Sequence, residues 1–194
     1  MKLRITEMGH IEVLRAADRV AMPWKNGGGI THEIAIFPAD AGMDDFLWRL
    51  SMAEVAAPGP FSAFSGIDRI LAVLDGTLHL SGDTIGDIFI TPQSTPCAFP
   101  GDAAVIGQPI GGPVLDLNAM VRTGAYRAEM RHLAPSDHRV GAPSAAFVAL
   151  GPVRCEADGI VETLDRLDCL LLEDVMTISF TGTANALLVR FLPA

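Results

Sequence analysis

Apolar and polar residues alternate with a period of two along most of the chain, and a helical period of 3.6 is rare. Such alternation is typical of half-buried β-strands. Thirteen prolines and nineteen glycines divide the chain into short segments, as the turns of an all-β protein require. The strand candidates are 30–37, 46–53, 70–80, 103–108, 114–120, 146–155, 169–173 and 186–191, and the best helix candidate is a short one at 13–20.

Segment 70–83, ILAVLDGTLHLSGD, contains two apolar runs separated by Asp75-Gly76. Because an Asp-Gly pair suits a two-residue turn, the sequence predicts a β-hairpin here. Segment 145–159 repeats the outline of this hairpin, and 95–107 aligns with 167–179. The two offsets are similar, about 75 and 72 residues, which indicates a duplicated β-barrel unit. We therefore expect two domains, 1–131 and 132–194.

The composition excludes several classes of partner. The 194 residues are 49% hydrophobic, so the chain can bury a substantial core. Fourteen basic residues stand against 23 acidic ones, a net charge of −9, and no run of Lys or Arg occurs. Nucleic acid and membrane surfaces are therefore not expected as partners.

The location of the protein is predicted from what the chain lacks. The first residues, MKLRITEMGH, are too polar for a signal peptide, and no stretch is long and apolar enough for a membrane span. The three cysteines, Cys97, Cys155 and Cys169, are isolated and odd in number, which favours a reducing compartment. We expect a cytoplasmic protein.

Two predicted strands carry polar pairs on one face of an apolar segment. In 46–55 these are Arg49 and Ser51, and in 111–124 they are Asp116 and Asn118. The inward faces of strands converge in a barrel, so both pairs could line one cavity. Three interpretations stay open: solvent-facing strands, an Asp116–Arg49 ion pair that satisfies itself, or a ligand site in which Arg49 binds a carboxylate.

The segment AMPWKNGGG, residues 21–29, raises the question of what three consecutive glycines do. Asn26-Gly27 alone would supply a tight turn. Further glycines indicate that the backbone approaches a ligand or another strand closely.

Signatures of known catalytic sites are absent. The chain has no Gly-x-Ser-x-Gly elbow, phosphate loop or dinucleotide fingerprint. Its histidines do not occur at metal-ligand spacing, so we expect no metal. His79 is the candidate base of an alternative enzyme, with Tyr126 as partner, if both face the cavity. Arg69 is interpreted as a cap for backbone carbonyls. The histidines are His10, His32, His79, His132 and His138.

Three segments together resemble the HutD/Ves family: MPWKNGGGITHEIA, FLWRLSMAEVAAPGPFSAFSGIDRILAVLDG and FPGDAAVIGQPIGGPVLDLNAMVR. The resemblance covers nearly the first two-thirds of the chain. It implies an all-β, double (tandem) cupin-like β-barrel of the RmlC-like jelly-roll class with few short helices, a cytoplasmic location and, for the HutD branch, association with bacterial histidine utilisation. One departure is Thr123, where the family pattern suggests a second arginine after LNAMVR.

Our leading hypothesis is a metal-free binding protein without catalytic residues or cofactors. The resemblance implies as ligand a small acidic intermediate of histidine degradation such as N-formylglutamate, which the protein would sense in order to modulate that pathway, and a homodimer is a candidate assembly. Lys25 and Arg49 would bind carboxylate, while Asn26 and Asn118 would recognise an amide or formyl group. The predicted ligand-binding residues are Trp24, Lys25, Asn26, Gly27, Gly28, Arg49, Ser51, Asp116 and Asn118.

Two other hypotheses compete with this one. The first is the metal-independent cupin enzyme, an isomerase or hydrolase that uses His79. The second is a structural or interaction protein, or a Ves-like stress-associated protein without catalysis. A purely structural protein predicts no cavity of about 300 Å³ or more with convergent polar groups.

Overall fold

The computed structural model describes residues 9–24 and 27–194, so the predicted site residues Lys25 and Asn26 lie outside the described part. The described chain is nearly all β, which confirms the predicted class. One short 3₁₀ turn is present, at Ala16–Asp18. The strands are β1 (His10–Leu14), β2 (Ala21–Pro23), β3 (Gly29–Phe37), β4 (Trp48–Val55), β5 (Gly59–Pro60), β6 (Ile67–Gly82), β7 (Gly86–Ile90), β8 (Cys97–Pro100), β9 (Ile106–Arg122), β10 (Tyr126–Leu133), β11 (Asp137–Arg139), β12 (Ser144–Ala149), β13 (Val153–Ala157), β14 (Ile160–Leu164), β15 (Cys169–Glu173), β16 (Thr177–Gly182) and β17 (Ala186–Pro193).

The chain divides into two compact units. The N-terminal unit consists of Ala17–Arg131 with Pro193–Ala194, and the C-terminal unit consists of residues up to Ala16 with His132–Leu192. The predicted domains, 1–131 and 132–194, share the break after Arg131 but differ at the start of the chain. There β1 pairs with β15, from His10 opposite Glu173 to Leu14 opposite Cys169. That the two parts of the chain are independently folding domains stays a prediction.

The helix predicted at 13–20 is wrong. Val13 and Leu14 belong to β1, and the following residues form only the 3₁₀ turn. A β-strand partner is available in β15, and pairing with it stabilises the extended conformation against a weak helical preference.

The N-terminal unit contains an antiparallel sheet with strand order β2-β3-β4-β9-β6-β7. Two short strands are added to it, since β5 pairs with β9 and β8 pairs with β6. Strands β6 and β9 are its longest elements, and β9 lies between β4 and β6. Its buried apolar residues include Leu71, Leu78, Leu80, Phe99 and Val114.

The hairpin predicted at Asp75-Gly76 is also wrong. Strand β6 continues through both residues, and its register with β9 shifts on either side of Asp75. Gly76 has a φ of 82°, and a Cβ there would lie 3.0 Å from the Pro113 carbonyl oxygen. The Asp-Gly pair therefore forms an irregularity within β6. Strand β9 pairs with β6 both before and after this pair, and a long partner strand favours a bulge over a reversal of the chain. The chain reverses between Gly82 and Gly86, where β6 leads into β7.

The C-terminal unit contains antiparallel strands in the order β1-β15-β12-β17 and a second sheet in the order β11-β16-β13-β14. The strand predicted at 146–155 is two strands, β12 and β13, separated by residues 150–152. The core is apolar, and the rings of Phe147 and Phe180 pack edge to face with centroids 5.0 Å apart.

The same pairing pattern occurs in both units. In the N-terminal unit β6 pairs with β7, β8 and β9. In the C-terminal unit the consecutive strands β12 and β13 together pair with β14, β15, β16 and β17. This repetition agrees with the predicted duplication. In the part of the chain that the structure describes, no helix is long and apolar enough to cross a membrane.

Candidate functional site

The N-terminal unit contains a cavity of about 530 Å³. Strands β4, β6 and β9 supply its polar side chains, and the segment from Ala57 to Phe64 supplies much of its apolar wall. A volume of this size is in the range of small-molecule sites. The lining residues that the argument uses are Trp24, Arg49, Ser51, Phe61, Arg69, Asp116 and Asn118.

The polar side chains lie in three successive rows across β4, β9 and β6. Alternate residues of a strand point to the same face, and paired residues of neighbouring strands share that face. The rows are Arg49–Met120–Arg69, then Ser51–Asn118–Leu71, then Ala53–Asp116–Val73. The period-two alternation in the sequence therefore directs two arginines, an asparagine and an aspartate to one face of the sheet.

Arg49 is buried and is held by neighbours on β3 and β4. Its Nε donates to Glu33 Oε2 at 2.7 Å, and its Nη1 donates to Ser51 Oγ at 3.3 Å. Glu33 is partly exposed, so this ion pair is at the border of the cavity. The Asp116–Arg49 ion pair, one of the three open interpretations, is not formed, and Glu33 is the carboxylate that contacts Arg49.

Arg69 lies in a mostly aromatic environment. Its guanidinium carbon is 5.0, 5.4 and 5.9 Å from the ring centroids of Phe61, Phe99 and Phe64. Its hydrogen bonds are long, 3.5 Å to Asn118 Oδ1 and 3.3 Å to the Ser62 carbonyl oxygen. Burial lowers the pKa of Arg69 to about 10, with the Asp116 charge opposing this shift and the Arg49 charge adding to it. The guanidinium is therefore still cationic at neutral pH.

Asp116 is 1% exposed, and neither of its carboxyl oxygens has a hydrogen-bond partner among residues 9–24 and 27–194. Burial raises the pKa of Asp116 from 3.8 to about 7, although the positive charge of Arg69 opposes the shift. A buried carboxyl group without a partner is costly for folding, so its presence in a cavity points to a functional role.

The three glycines have different structural roles. Gly27 has a φ of 71° and its N–H donates to the Trp24 carbonyl oxygen, which closes a turn. Gly29 packs against β4, since a Cβ there would lie 2.3 Å from the Glu54 carbonyl oxygen. Gly28 lines the cavity. Trp24 also lines it, and its Nε1 donates to Thr31 Oγ1 at 2.7 Å.

The structure brings most of the predicted site residues together, although their binding of a ligand stays a prediction. Gly27 is not among the residues that line the cavity, and Lys25 and Asn26 lie outside the described residues. Those that line the cavity are Trp24, Gly28, Arg49, Ser51, Asp116 and Asn118.

The sequence interpretation missed Arg69 as a cavity residue. It does donate to a backbone carbonyl, as expected, but it also faces the cavity next to Asn118. A usable signal was present, because Arg69 shares a strand face with Leu71 and Val73, just as Arg49 shares one with Ser51. The aromatic residues of segment 60–69 were interpreted as loop and carry no comparable signal.

His79 does not line the cavity. Its Nε2 lies 3.1 Å from Asp87 Oδ1, and its ring stacks on the exposed ring of Phe89 with centroids 4.6 Å apart. Tyr126 packs edge to face on Phe37 and does not line the cavity either. The enzyme hypothesis required a histidine base and a partner carboxylate or tyrosine inside one pocket, so the geometry does not support His79 as that base. Among the described residues, no three His, Cys, Asp or Glu side chains are grouped to hold a metal ion.

Comparisons with known proteins extend the resemblance beyond the first two-thirds of the chain. A protein of Pseudomonas putida, described as an uncharacterized 21.2 kDa protein in the hutC 3′ region, is 35% identical over 170 residues, which are 86% of this chain and 88% of that protein. Protein Ves of Escherichia fergusonii is 37% identical over 111 residues, 56% of each chain.

Solved structures agree with the cupin-like fold. HutD from Pseudomonas fluorescens SBW25 superimposes with a TM-score of 0.82 at 32% identity, covering 95% of this chain and 100% of that one. A cupin 2 conserved barrel domain protein from Leptotrichia buccalis gives a TM-score of 0.58 at 10% identity, covering 93% and 100%, which supports the fold alone. The HutD family model matches residues 16–189, and the chain therefore belongs to the HutD family.

Proposed function

We propose that this protein binds a small acidic metabolite in the cavity of its N-terminal unit and thereby acts as a cytoplasmic sensor linked to histidine utilisation, with N-formylglutamate as the candidate ligand. The observation that carries the proposal is the row of Arg49 and Arg69 on either side of Met120, with both guanidinium groups directed toward the Ser51–Asn118 row.

The cavity has the chemistry to select a carboxylate. Arg69 makes only long hydrogen bonds, and it has no carboxylate within ion-pair distance in the described chain, so its planar donors can serve an anion. Asn118 offers an amide beside Arg69 that can pair with an amide or formyl group of the ligand. Because the protein carries a net charge of −9, a local cationic cavity is what such a ligand requires.

The link to histidine utilisation rests on the family and its relatives. The P. putida relative is described by its place in the hutC 3′ region, and the P. fluorescens structure is described as HutD. Both matches cover most of this chain, whereas the Ves match covers 56% of it. The extent of the matches favours the HutD branch.

The cavity also bears on the structural hypothesis. That hypothesis predicted no cavity of about 300 Å³ with convergent polar groups, whereas the structure contains one of about 530 Å³ with two arginines, an asparagine and an aspartate. A surplus of buried polar groups of this kind is expensive in a protein whose only role is architectural.

A thermal-shift titration tests the proposal. We expect N-formylglutamate to raise the melting temperature in a concentration-dependent way, with or without a chelator, while histidine, urocanate and glutamate serve as comparison ligands. Arg69→Met should abolish the shift yet retain the fold by circular dichroism. Arg127→Met is the matched control, because it removes one positive charge from an exposed ion pair in the same unit. The absence of a shift with every acid, or an equal shift for Arg69→Met, would contradict the proposal.

A further inference from the structure

Asp116 is the cavity group that the proposed function leaves unexplained. The carboxyl group is fully enclosed, and neither oxygen accepts a hydrogen bond from the described residues. In its own row Asp116 lies between Ala53 and Val73, and neither of these side chains can donate a hydrogen bond. Asp116 lines the cavity, so a ligand bound there is a candidate partner for this group.

The charges around Asp116 determine whether its carboxyl group is ionised or protonated when an acidic ligand binds. Of the described residues that line the cavity, only Arg49 on β4 and Arg69 on β6 carry charge besides Asp116. Glu33 on β3 already pairs with Arg49. If Asp116 is ionised, the two arginines are balanced by two carboxylates, and an entering anion adds buried negative charge without compensation. If Asp116 is protonated, the four groups sum to one positive charge, which one ligand carboxylate neutralises.

We infer that Asp116 binds the acidic ligand in its protonated form and donates its O–H to a ligand oxygen, so that binding takes up a proton from solvent wherever the free protein has Asp116 ionised. The inference rests on the proposed function and adds a specificity-determining residue and a pH dependence to it. The ligand would place a carboxylate near Arg69 and a second oxygen one to two rows away, about 7 Å per row, toward Asp116.

Protonation of Asp116 requires little free energy near neutral pH, because burial already raises its pKa to about 7. A bound anion raises that pKa further, since it favours the neutral carboxyl group. Binding and proton uptake are then linked, and affinity must fall as pH rises above the pKa of the free protein.

Isothermal titration calorimetry with N-formylglutamate, in two buffers of different ionisation enthalpy at pH 6, 7 and 8, measures this linkage. We expect an uptake of about half a proton at pH 7 that approaches one at pH 8, and a Kd that rises about tenfold from pH 6 to pH 8. Asp116→Asn keeps a donor but cannot titrate, so its Kd should not change with pH and its proton uptake should be zero.

Asp68→Asn is the matched control, because Asp68 is an exposed carboxylate of the same strand as Arg69. It should behave as the natural protein does. If N-formylglutamate, urocanate and glutamate all fail to bind at every pH, the proposed function and this inference fail together. If an acid binds without proton uptake, or binds more tightly at pH 8 than at pH 6, only the inference is overturned. Loss of binding in Asp116→Asn would instead show that the ligand requires the ionised Asp116 carboxylate, since asparagine keeps both a donor and an acceptor, and this also overturns the inference.

Discussion

Each of the two units buries one aspartate among the described residues, and the surroundings of the two shift their pKa values in opposite directions. Asp168 in the C-terminal unit is 4% exposed and accepts hydrogen bonds from the Ala16 and Asp165 N–H groups and from Arg15. Burial alone would raise its pKa, but these donors and the Arg15 charge outweigh that effect and lower it. Asp116 in the N-terminal unit is 1% exposed, and burial raises its pKa to about 7.

The difference separates a structural carboxylate from a candidate binding group. A buried charge that has all its hydrogen bonds contributes to the fold, whereas one without them costs stability and needs another explanation. Asp168 fixes the chain where β1 ends and residues 165–168 turn. Asp116 makes no hydrogen bond through its carboxyl oxygens to a described residue, and it borders a cavity.

The duplicated pairing pattern sharpens this comparison. In the N-terminal unit Asp116 pairs across the sheet with Val73, and in the C-terminal unit the equally buried Leu188 pairs with Phe147. Leu188 is fully buried in an apolar core. A buried central position of a sheet is thus filled by a carboxyl group in one unit and by a leucine in the other, so burial in such a sheet does not by itself require the carboxyl group.

The largest effect is expected from Leu188→Asp, which places a carboxyl group in the apolar core of the C-terminal unit. An unpaired carboxyl group in the core around Phe147 and Phe180 should lower the free energy of unfolding by about 4 kcal/mol or more. Urea denaturation measures the loss, and Leu188→Met, which keeps volume and apolarity, is the control. A loss below about 1 kcal/mol would show that this core tolerates the charge as the N-terminal unit does.

The second effect is expected from Asp168→Ala, which leaves the Ala16 and Asp165 N–H groups and Arg15 without their acceptor. The free energy of unfolding should fall by about 3 kcal/mol at pH 7. Because the folded-state pKa of Asp168 is lowered, its contribution is present above about pH 4 and is lost as pH falls further. Urea denaturation from pH 7 to pH 3 should therefore show the natural protein approaching the variant at acid pH.

Asp165→Ala is the control for this prediction, since it removes an exposed carboxylate but retains the backbone N–H that donates to Asp168. Equal losses for the two variants at pH 7 would mean that Asp168 is not a specific structural acceptor.

The smallest effect, and one of opposite sign, is expected from Asp116→Leu, which replaces the buried carboxyl group by an apolar side chain. The raised folded-state pKa means that the folded protein binds more protons than the unfolded chain between about pH 4 and pH 7, so the natural protein loses stability as pH rises through that range. Asp116→Leu should therefore raise the free energy of unfolding by about 2 kcal/mol at pH 8 and by less at pH 5. Denaturation of the ligand-free protein at both pH values measures it, and a variant less stable than the natural protein at pH 8 would show that Asp116 stabilises the fold.

Much of the candidate site could be predicted from local alternation. Arg49 and Ser51, like Asp116 and Asn118, lie two residues apart in apolar strands, and such pairs share a face whatever the rest of the fold does. Arg69 follows the same rule, but the aromatic residues around it come from segments distant in the chain. Its surroundings therefore could not be predicted from its neighbours in sequence.

Local signals failed where a distant strand was the deciding partner. Asp75-Gly76 has the composition of a turn, yet β9 pairs with β6 on both sides of it and keeps the strand continuous. Residues 13–20 had a weak helical pattern, yet β15 pairs with His10–Leu14 and draws them into a sheet.

The sequence by itself determined the all-β class and the faces on which the polar side chains lie, because these depend on spacing within single strands. Only the tertiary structure decided which of the buried charges are paired. Glu33 on β3 forms an ion pair with Arg49, and Arg15, near the opposite end of the chain, forms one with Asp168. No described residue donates a hydrogen bond to the Asp116 carboxyl group. Pairing depends on which side chains reach within about 3 Å of each other across strands, and that distance is set by the packing of the whole unit.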